Sequence, residues 1–158
     1  MRIGVLSDTH LNQVNGTLER IYKEYLADTD MILHAGDFVS EEVVKYLDRG
    51  NFHGVQGNMD PIGVREMLPV KKIVSAGPFR LGLIHGWGGY ERLEEKIMNE
   101  FSDVDVIVYG HSHKSASHFK NGIFFFNPGT ALGYHKFGTH TIGILDIEDN
   151  IRGKIIEV

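Results

Sequence analysis

The first two-thirds of the chain alternate short apolar runs with amphipathic segments of helical spacing, whereas the last third contains apolar runs alone. Strands alternating with helices predict parallel strands, because parallel neighbours need a long crossover between them. Successive strands without helices predict an antiparallel meander. We therefore predict an α/β class fold, a four-layer α/β/β/α sandwich in which two packed mixed sheets are flanked by helices.

The apolar runs give the positions of the strands. They are predicted at Ile3–Leu6, Met31–Leu33, Phe52–Val55, Ile73–Ser75, Phe79–Ile84, Val104–Tyr109, Ser115–Lys120, Ile123–Phe126, Thr139–Ile147 and Ile151–Val158. Helices are predicted over Leu18–Leu26, over Tyr90–Phe101, and from a cap at Ser40 to Leu47. The stretch 61–69, with two prolines and a glycine, is predicted to be a loop, and Asp149-Asn150 a two-residue turn.

Composition limits the kinds of protein this can be. The 158 residues, 42% of them hydrophobic, are expected to form a single domain, 1–158, with a sizeable core. The net charge of −5 and the absence of a basic tract argue against nucleic acid or an anionic membrane surface as partner. No apolar run approaches the ~20 residues of a membrane span, so no membrane association is expected.

Cysteine is absent, which excludes disulfides and thiolate metal sites. We expect a cytoplasmic protein on this basis. Any metal ion would have to be held by His, Asp and Asn side chains.

Side chains with oxygen or imidazole donors follow the predicted strand ends. They are Asp8, His10, Asp37, Asn58, His85, His111 and His113. Ligands bind at the carboxyl ends of strands in open α/β sheets, so these donors could meet at one edge. Seven donors are too many for one tetrahedral ion but suit two ions that share a carboxylate, for which we choose Asp37.

Taken singly, most of these motifs have ordinary explanations. Gly36-Asp37 and Gly57-Asn58 are common turn dipeptides, and an isolated Asp8-Thr9-His10 could be a turn followed by a cap. Gly110-His111-Ser112-His113 is the most specific, because two imidazoles one residue apart beyond a glycine rarely serve packing.

In their order along the chain, these motifs resemble the signature of calcineurin-like metallophosphoesterases. Ser7-Asp8-Thr9-His10 with Asn12, and Asn127-Pro128-Gly129-Thr130, resemble the small prokaryotic phosphodiesterase branch of that family. The resemblance implies a first metal held by Asp8, His10, Asp37 and His113. It implies a second metal held by Asp37, Asn58, His85 and His111. Asp37 and Asn58 would also be catalytic, and Asn12 and Met59 would contact the substrate.

One position departs from the family pattern. Many members have Gly-Asn-His where this chain has Gly57-Asn58-Met59, and that histidine is the usual candidate for protonating the leaving group. Methionine cannot do so, and we predict a preference for aryl phosphodiesters over alkyl monoesters. Asp60 could substitute as an acid or be a turn residue before Pro61.

The reaction expected of such a chain is hydrolysis of a small phosphate ester by a metal-bridging hydroxide. The donors fit Mn²⁺, Fe²⁺, Co²⁺, Ni²⁺ and Zn²⁺ alike, so availability decides which metal is bound. Manganese is the working choice. His34 could orient the metal ligands or be a core histidine. His135 could reach the substrate, and Trp87 could form a wall of the substrate pocket or be buried in the core.

Two alternatives remain open at this point. The chain could be a metallophosphoesterase-like scaffold that has given up chemistry, as the scaffold subunit of retromer has, or it could bind metal for structure alone. The presence of every expected ligand favours an enzyme. The β-rich end leaves edge strands that could pair in a homodimer or a higher homo-oligomer.

Overall fold

Two five-stranded mixed sheets form the centre of the protein in a computed structural model that describes residues 1–132 and 139–158. The first sheet consists of β1 (Arg2–Leu6), β2 (Met31–His34), β3 (Phe52–Gly54), β9 (Thr141–Ile147) and β10 (Ile151–Glu157), in the order β10-β9-β1-β2-β3. The second consists of β4 (Lys71–Ala76), β5 (Phe79–Ile84), β6 (Val106–Val108), β7 (Ala116–Lys120) and β8 (Ile123–Asn127), in the order β4-β5-β6-β8-β7.

Each sheet contains three parallel strands and an antiparallel addition. Strands β1, β2 and β3 run parallel, and β9 and β10 add to β1 as an antiparallel pair. Strands β5, β6 and β8 also run parallel, with β4 and β7 antiparallel at the two edges. The strand-and-helix part of the chain therefore places several carboxyl strand ends side by side.

The helices cover the outer faces of the sheets, which confirms the α/β/β/α sandwich. Helices α1 (Gly16–Ile21), α2 (Glu41–Leu47) and α3 (Ile62–Met67) pack on the first sheet, and α4 (Leu93–Met98) packs on the second. Alternate strand residues divide between the layers as a period of two requires: Val5 faces the core between the sheets, whereas Leu6 packs against the helices. The side chain of Ser40 accepts a hydrogen bond from the Glu42 amide, as a helix cap does.

Two local predictions were wrong, and one predicted helix has a different form over part of its length. The stretch 61–69 contains helix α3 rather than only loop, because Pro61 precedes the first turn, where its missing N–H removes no helix hydrogen bond. Ile147 pairs with Ile151, so the last turn has three residues, 148–150, rather than two. Helix α1 continues as a π-helical segment, Tyr22–Leu26.

Several predicted elements are also shorter than expected at their ends. The helix predicted from Tyr90 to Phe101 covers only Leu93–Met98, and the strand predicted from Val104 covers Val106–Val108. Across the described residues no helix has the length and apolar character needed to cross a membrane.

Candidate metal centre

Residues that follow five different strands contact one another at one edge of the sandwich. The strands are β1, β2 and β3 of the first sheet and β5 and β6 of the second. Hydrogen bonds and ion-pair contacts join the segments after these strand ends, both within a sheet and between the sheets. All seven predicted donors take part.

Asp8, His10 and His113 form the first cluster. Nε2 of His113 lies 3.0 Å from Oδ1 of Asp8, and Nε2 of His10 lies 3.7 Å from the same oxygen. The two imidazoles approach each other to 3.4 Å between their Nε2 atoms, although 103 residues separate them in sequence. The three ligand atoms lie within 4.8 Å of one another, which is close enough to share one ion.

Asp37, Asn58, His85 and His111 form the second cluster. Nε2 of His85 lies 3.4 Å from Oδ2 of Asp37 and 3.1 Å from Oδ1 of Asn58. Nδ1 of His111 lies 2.9 Å from the same Asn58 oxygen. Asp37 also reaches the first cluster, because Oδ2 is 3.8 Å from Nε2 of His10. Its carboxylate therefore stands between the two groups of donors.

Backbone carbonyls orient two of the imidazoles in the second cluster. Nδ1 of His85 contacts the Ala35 carbonyl at 2.7 Å, and Nε2 of His111 contacts the Gly88 carbonyl at 2.8 Å. A carbonyl can only accept, so each of these nitrogens carries a proton, and the other nitrogen of each ring faces the Asn58 oxygen. Ligating histidines in metalloproteins are commonly oriented by such a bond from the second nitrogen.

The first cluster also contains a buried carboxylate oxygen that accepts no hydrogen bond. Oδ1 of Asp8 is fully buried and forms no hydrogen bond among the described residues, although Nε2 of His113 lies 3.0 Å away as an ion-pair contact. A buried acceptor without a partner is destabilising, and a bound cation would remove that penalty. Carboxylate, amide and imidazole donors in this arrangement fit first-row divalent ions.

Mutual electrostatic effects alter the pKa values of the cluster. Burial would raise the pKa of Asp8, but His10, His113 and the Ser7 hydroxyl more than offset it, and the pKa lies below its usual value. Burial would lower the pKa of His85, but the hydrogen bond to Asp37 and the nearby carboxylates raise it overall. Buried negative charge thus favours whatever cation, proton or metal, is available.

The backbone is strained at most of these donors. Five of the seven candidates have positive φ: Asp8 (53°), His10 (46°), Asp37 (60°), His111 (66°) and His113 (56°). Non-glycine residues adopt this left-handed conformation at a cost on the order of 1 kcal/mol, and such residues cluster at functional sites. The sharp turns direct these side chains back across the strand ends, toward one another.

Asp60 joins the loop after β2 to the loop after β3. Oδ2 accepts hydrogen bonds from the amides of Gly57 and Asp37, and Oδ1 accepts one from Val39. Burial raises the pKa of this carboxyl, against the opposing effect of those amides. Because both oxygens are engaged by backbone amides, we assign Asp60 a positioning role rather than that of an acid.

Arg65 and Asn127 also position donor loops, and neither role could be read from the sequence. Arg65 donates to the carbonyls of Asp60 at 2.7 Å and Asn58 at 2.9 Å. Asn127 donates from its amide nitrogen to the Gly110 carbonyl and the Ser112 hydroxyl, directly before and within the His-x-His segment.

The remaining predicted residues lie nearby with differing roles. Asn12 is exposed two residues after His10, and Met59 is exposed at the rim, its amide donating to Oδ1 of Asp37. His34 is buried and stacks on Phe38, and Trp87 is half-exposed. His135 lies outside the described residues.

Comparison with known proteins identifies the family. The sequence model of the calcineurin-like phosphoesterase superfamily domain matches residues 1–150. The chain belongs to this superfamily. A probable metallophosphoesterase from Methanocaldococcus jannaschii is 31% identical over 162 residues, covering all of this chain and 82% of the relative. Family membership implies divalent metal ions, and the two clusters supply residues that could hold them.

Solved structures agree on the fold. An archaeal phosphodiesterase is 27% identical, with a TM-score of 0.74 and coverage of 99% of this chain and 100% of that one. Vps29 of Entamoeba histolytica in complex with Zn²⁺ is 24% identical, with a TM-score of 0.70 and 99% coverage of both chains. At that identity the second likeness supports the sandwich architecture only.

Proposed function

We propose that this protein is a phosphodiesterase that uses two divalent metal ions. The observation that carries the proposal is the convergence of two donor clusters on Asp37, whose Oδ2 lies 3.8 Å from His10 and 3.4 Å from His85. Asp8, His10, Asp37 and His113 would hold one ion. Asp37, Asn58, His85 and His111 would hold the other.

Bound there, two divalent ions would acidify a coordinated water and stabilise negative charge that develops on a phosphate ester. The residues themselves set the charge of the centre. Asp8 and Asp37 are the only anionic donors in the set, and the Asn and His donors are neutral. Two carboxylates against two divalent ions leave a net positive site, which attracts an anionic ester.

Met59 determines which esters are expected to react fastest. Its side chain is 59% exposed at the rim of the centre and has no proton to donate. Asp60 cannot supply one readily, because backbone amides engage both of its oxygens. A leaving group that departs without protonation is therefore favoured, and aryl diesters should react faster than alkyl monoesters.

The test is hydrolysis of bis-p-nitrophenyl phosphate by chelator-treated protein after addition of Mn²⁺. We expect turnover that needs the metal and exceeds phosphate release from glycerol phosphate. Asp37→Asn should lower kcat/KM by at least about a hundredfold, because one side chain serves both clusters. Asp149→Asn, an exposed carboxylate in the last turn, is the matched control and should behave as the wild type.

Two results would contradict the proposal. Hydrolysis that survives both chelator and Asp37→Asn would mean that the metal centre is not the catalyst. Metal uptake without any turnover of phosphodiesters would favour the binding-module alternative.

A further inference from the structure

A cavity of about 340 Å³ opens beside the second donor cluster. Asn58 and His85 line it directly, so a group bound in the cavity would lie next to a phosphate at those donors. The volume is at the lower end of the range for small-molecule sites, roughly 300–1,000 Å³. It would hold one substituent of an ester rather than a large ligand.

The walls of this cavity are largely apolar. Trp87 is 44% exposed and Val70 is 64% exposed, and the buried Ile84 also lines the cavity. Large apolar side chains left in contact with water at the edge of a polar centre commonly mark a binding surface. An indole also offers a flat face for stacking.

Apart from the donors Asn58 and His85, the polar side chains of the same cavity are already engaged by the backbone. Nε2 of Gln56 donates to the Leu68 carbonyl at 2.8 Å, and the guanidinium of Arg65 donates to the carbonyls of Asp60 and Asn58. An occupant therefore meets apolar surface and one fixed positive charge, with few free hydrogen-bonding groups. A flat aromatic ring satisfies this combination, because both an indole and a guanidinium interact favourably with a ring face.

A second cavity, beside Tyr90 and Ser112, has a different character. Charged side chains line it, including Arg92, Glu94 and Lys120, and Glu94 is bonded to the hydroxyl of Tyr109 at 2.8 Å. Such a lining suits polar groups. The lining of the cavity at Trp87 is more apolar and therefore suits an aromatic ring better.

We infer that the cavity at Trp87 is a substrate subsite that binds an aromatic ring, aryl or nucleobase, of a phosphate ester, with Trp87 as its specificity-determining wall. This rests on the proposed function, because the phosphoryl group must sit at the metal centre for its substituent to reach the cavity. Trp87 contributes affinity for the ring and takes no part in holding the metals.

The test compares the binding of phenylphosphonate and methylphosphonate to Mn²⁺-loaded protein by calorimetry. Both ligands present the same anionic group, and only one carries a ring. Wild type should bind phenylphosphonate about tenfold more tightly, the range expected for stacking on a single aromatic side chain. Trp87→Ala should reduce that preference to within about twofold and leave methylphosphonate affinity unchanged.

Two further variants serve as controls. Trp87→Phe should retain part of the preference, because it keeps a smaller ring. Phe119→Ala removes an aromatic side chain that is 66% exposed on β7 and lines neither cavity, and it should match the wild type.

The outcomes distinguish failure of the aromatic subsite from failure of the phosphodiesterase proposal. Equal affinity for the two phosphonates in wild type, or an unchanged preference in Trp87→Ala, would overturn the subsite and leave the hydrolysis result standing. A Trp87-dependent preference without turnover of any diester would support the subsite and overturn the phosphodiesterase. Failure of both phosphonates to bind would overturn the subsite, and the hydrolysis assay would decide the phosphodiesterase separately.

Discussion

His34 is a buried histidine whose protonation makes the stability of the folded chain depend on pH. Its Nδ1 accepts a hydrogen bond from the Gly36 amide, and its ring stacks on Phe38 at 3.5 Å between centroids. Because Nδ1 accepts, the proton of the neutral ring is on Nε2, which lies 3.3 Å from the Thr9 hydroxyl and donates to it. Burial lowers the pKa of His34 to about 3, so the folded protein keeps this imidazole uncharged.

This environment predicts a loss of stability in acid. An unfolded chain takes up a proton on His34 below its ordinary pKa of 6.5, whereas the folded chain resists until about pH 3. The stability that depends on the neutral ring is complete above pH 6.5 and falls as the pH decreases toward 3, by up to about 1.4 kcal/mol per pH unit.

Urea unfolding of metal-free wild type and His34→Asn, at pH 7, 6 and 5, measures this contribution. Asparagine can still accept from the Gly36 amide but does not titrate, so the difference in unfolding free energy between the two proteins should shrink as the pH falls. A difference that stays constant over that range would show that His34 is not the group responsible.

The sequence singled out side chains that the fold brings together, but it did not reveal the residues that hold their loops in place, for a physical reason. Gly110-His111-Ser112-His113 carries a local pattern that packing rarely produces. Asp60 and Asn127 act through hydrogen bonds to backbone groups of other loops, which no pattern along the chain encodes. The positive φ of Asp8 was equally hidden, since it depends on the loop that follows β1.

Between elements, glycines allow the ends of the strands to approach. A Cβ on Gly110, after β6, would overlap the Ser7 hydroxyl at the end of β1 and lie 3.0 Å from the Ala35 carbonyl after β2. A Cβ on Gly57 would overlap Oδ1 of Asp37. The approach at Gly110 joins the two sheets at the edge that carries the candidate metal centre, and the approach at Gly57 joins the ends of β2 and β3 within the first sheet.

Gly110→Ala is therefore expected to disrupt both stability and metal binding. The added methyl group meets a buried hydroxyl and a backbone carbonyl that cannot move independently, at a cost of about 1–3 kcal/mol in unfolding free energy. Chemical denaturation of the metal-free protein gives that cost, and calorimetry gives the accompanying loss of Mn²⁺ affinity.

The matched control is Gly16→Ala at the start of α1, where an added Cβ would meet nothing within 4 Å. It should leave metal affinity unchanged and alter stability by less than about 1 kcal/mol. Equal effects of the two substitutions would refute the idea that Gly110 sets the approach of the sheets.

Element boundaries show where sequence periodicity stops being informative. The strands were identified because their apolar runs are buried on one face or both, as in Ile3 and Leu6. Helix α3 was missed because the prolines that flank it resemble loop punctuation, although Pro61 before a first turn and Pro69 beyond the end fit a short helix. The π-helical segment after α1 has no sequence pattern of its own.

At the scale of the whole molecule, the two sheets share one hydrophobic core, and the candidate metal centre lies at one edge of it. The core between them is apolar and contains Val5 and Leu33 of one sheet and Leu83 and Val108 of the other. The first donor cluster takes Asp8 and His10 from the first sheet and His113 from the second. An ion bound there would connect the sheets, and its stabilisation of the folded chain would grow with the logarithm of its affinity.

The central claim is that seven side chains from both sheets form one centre for two metal ions. The most direct measurement is the number of Mn²⁺ ions bound per chain when metal-free protein is titrated and the bound metal is quantified. We predict two ions per chain in wild type and fewer in Asp37→Asn. One ion or none in wild type, or two in Asp37→Asn with unchanged affinity, would contradict the account.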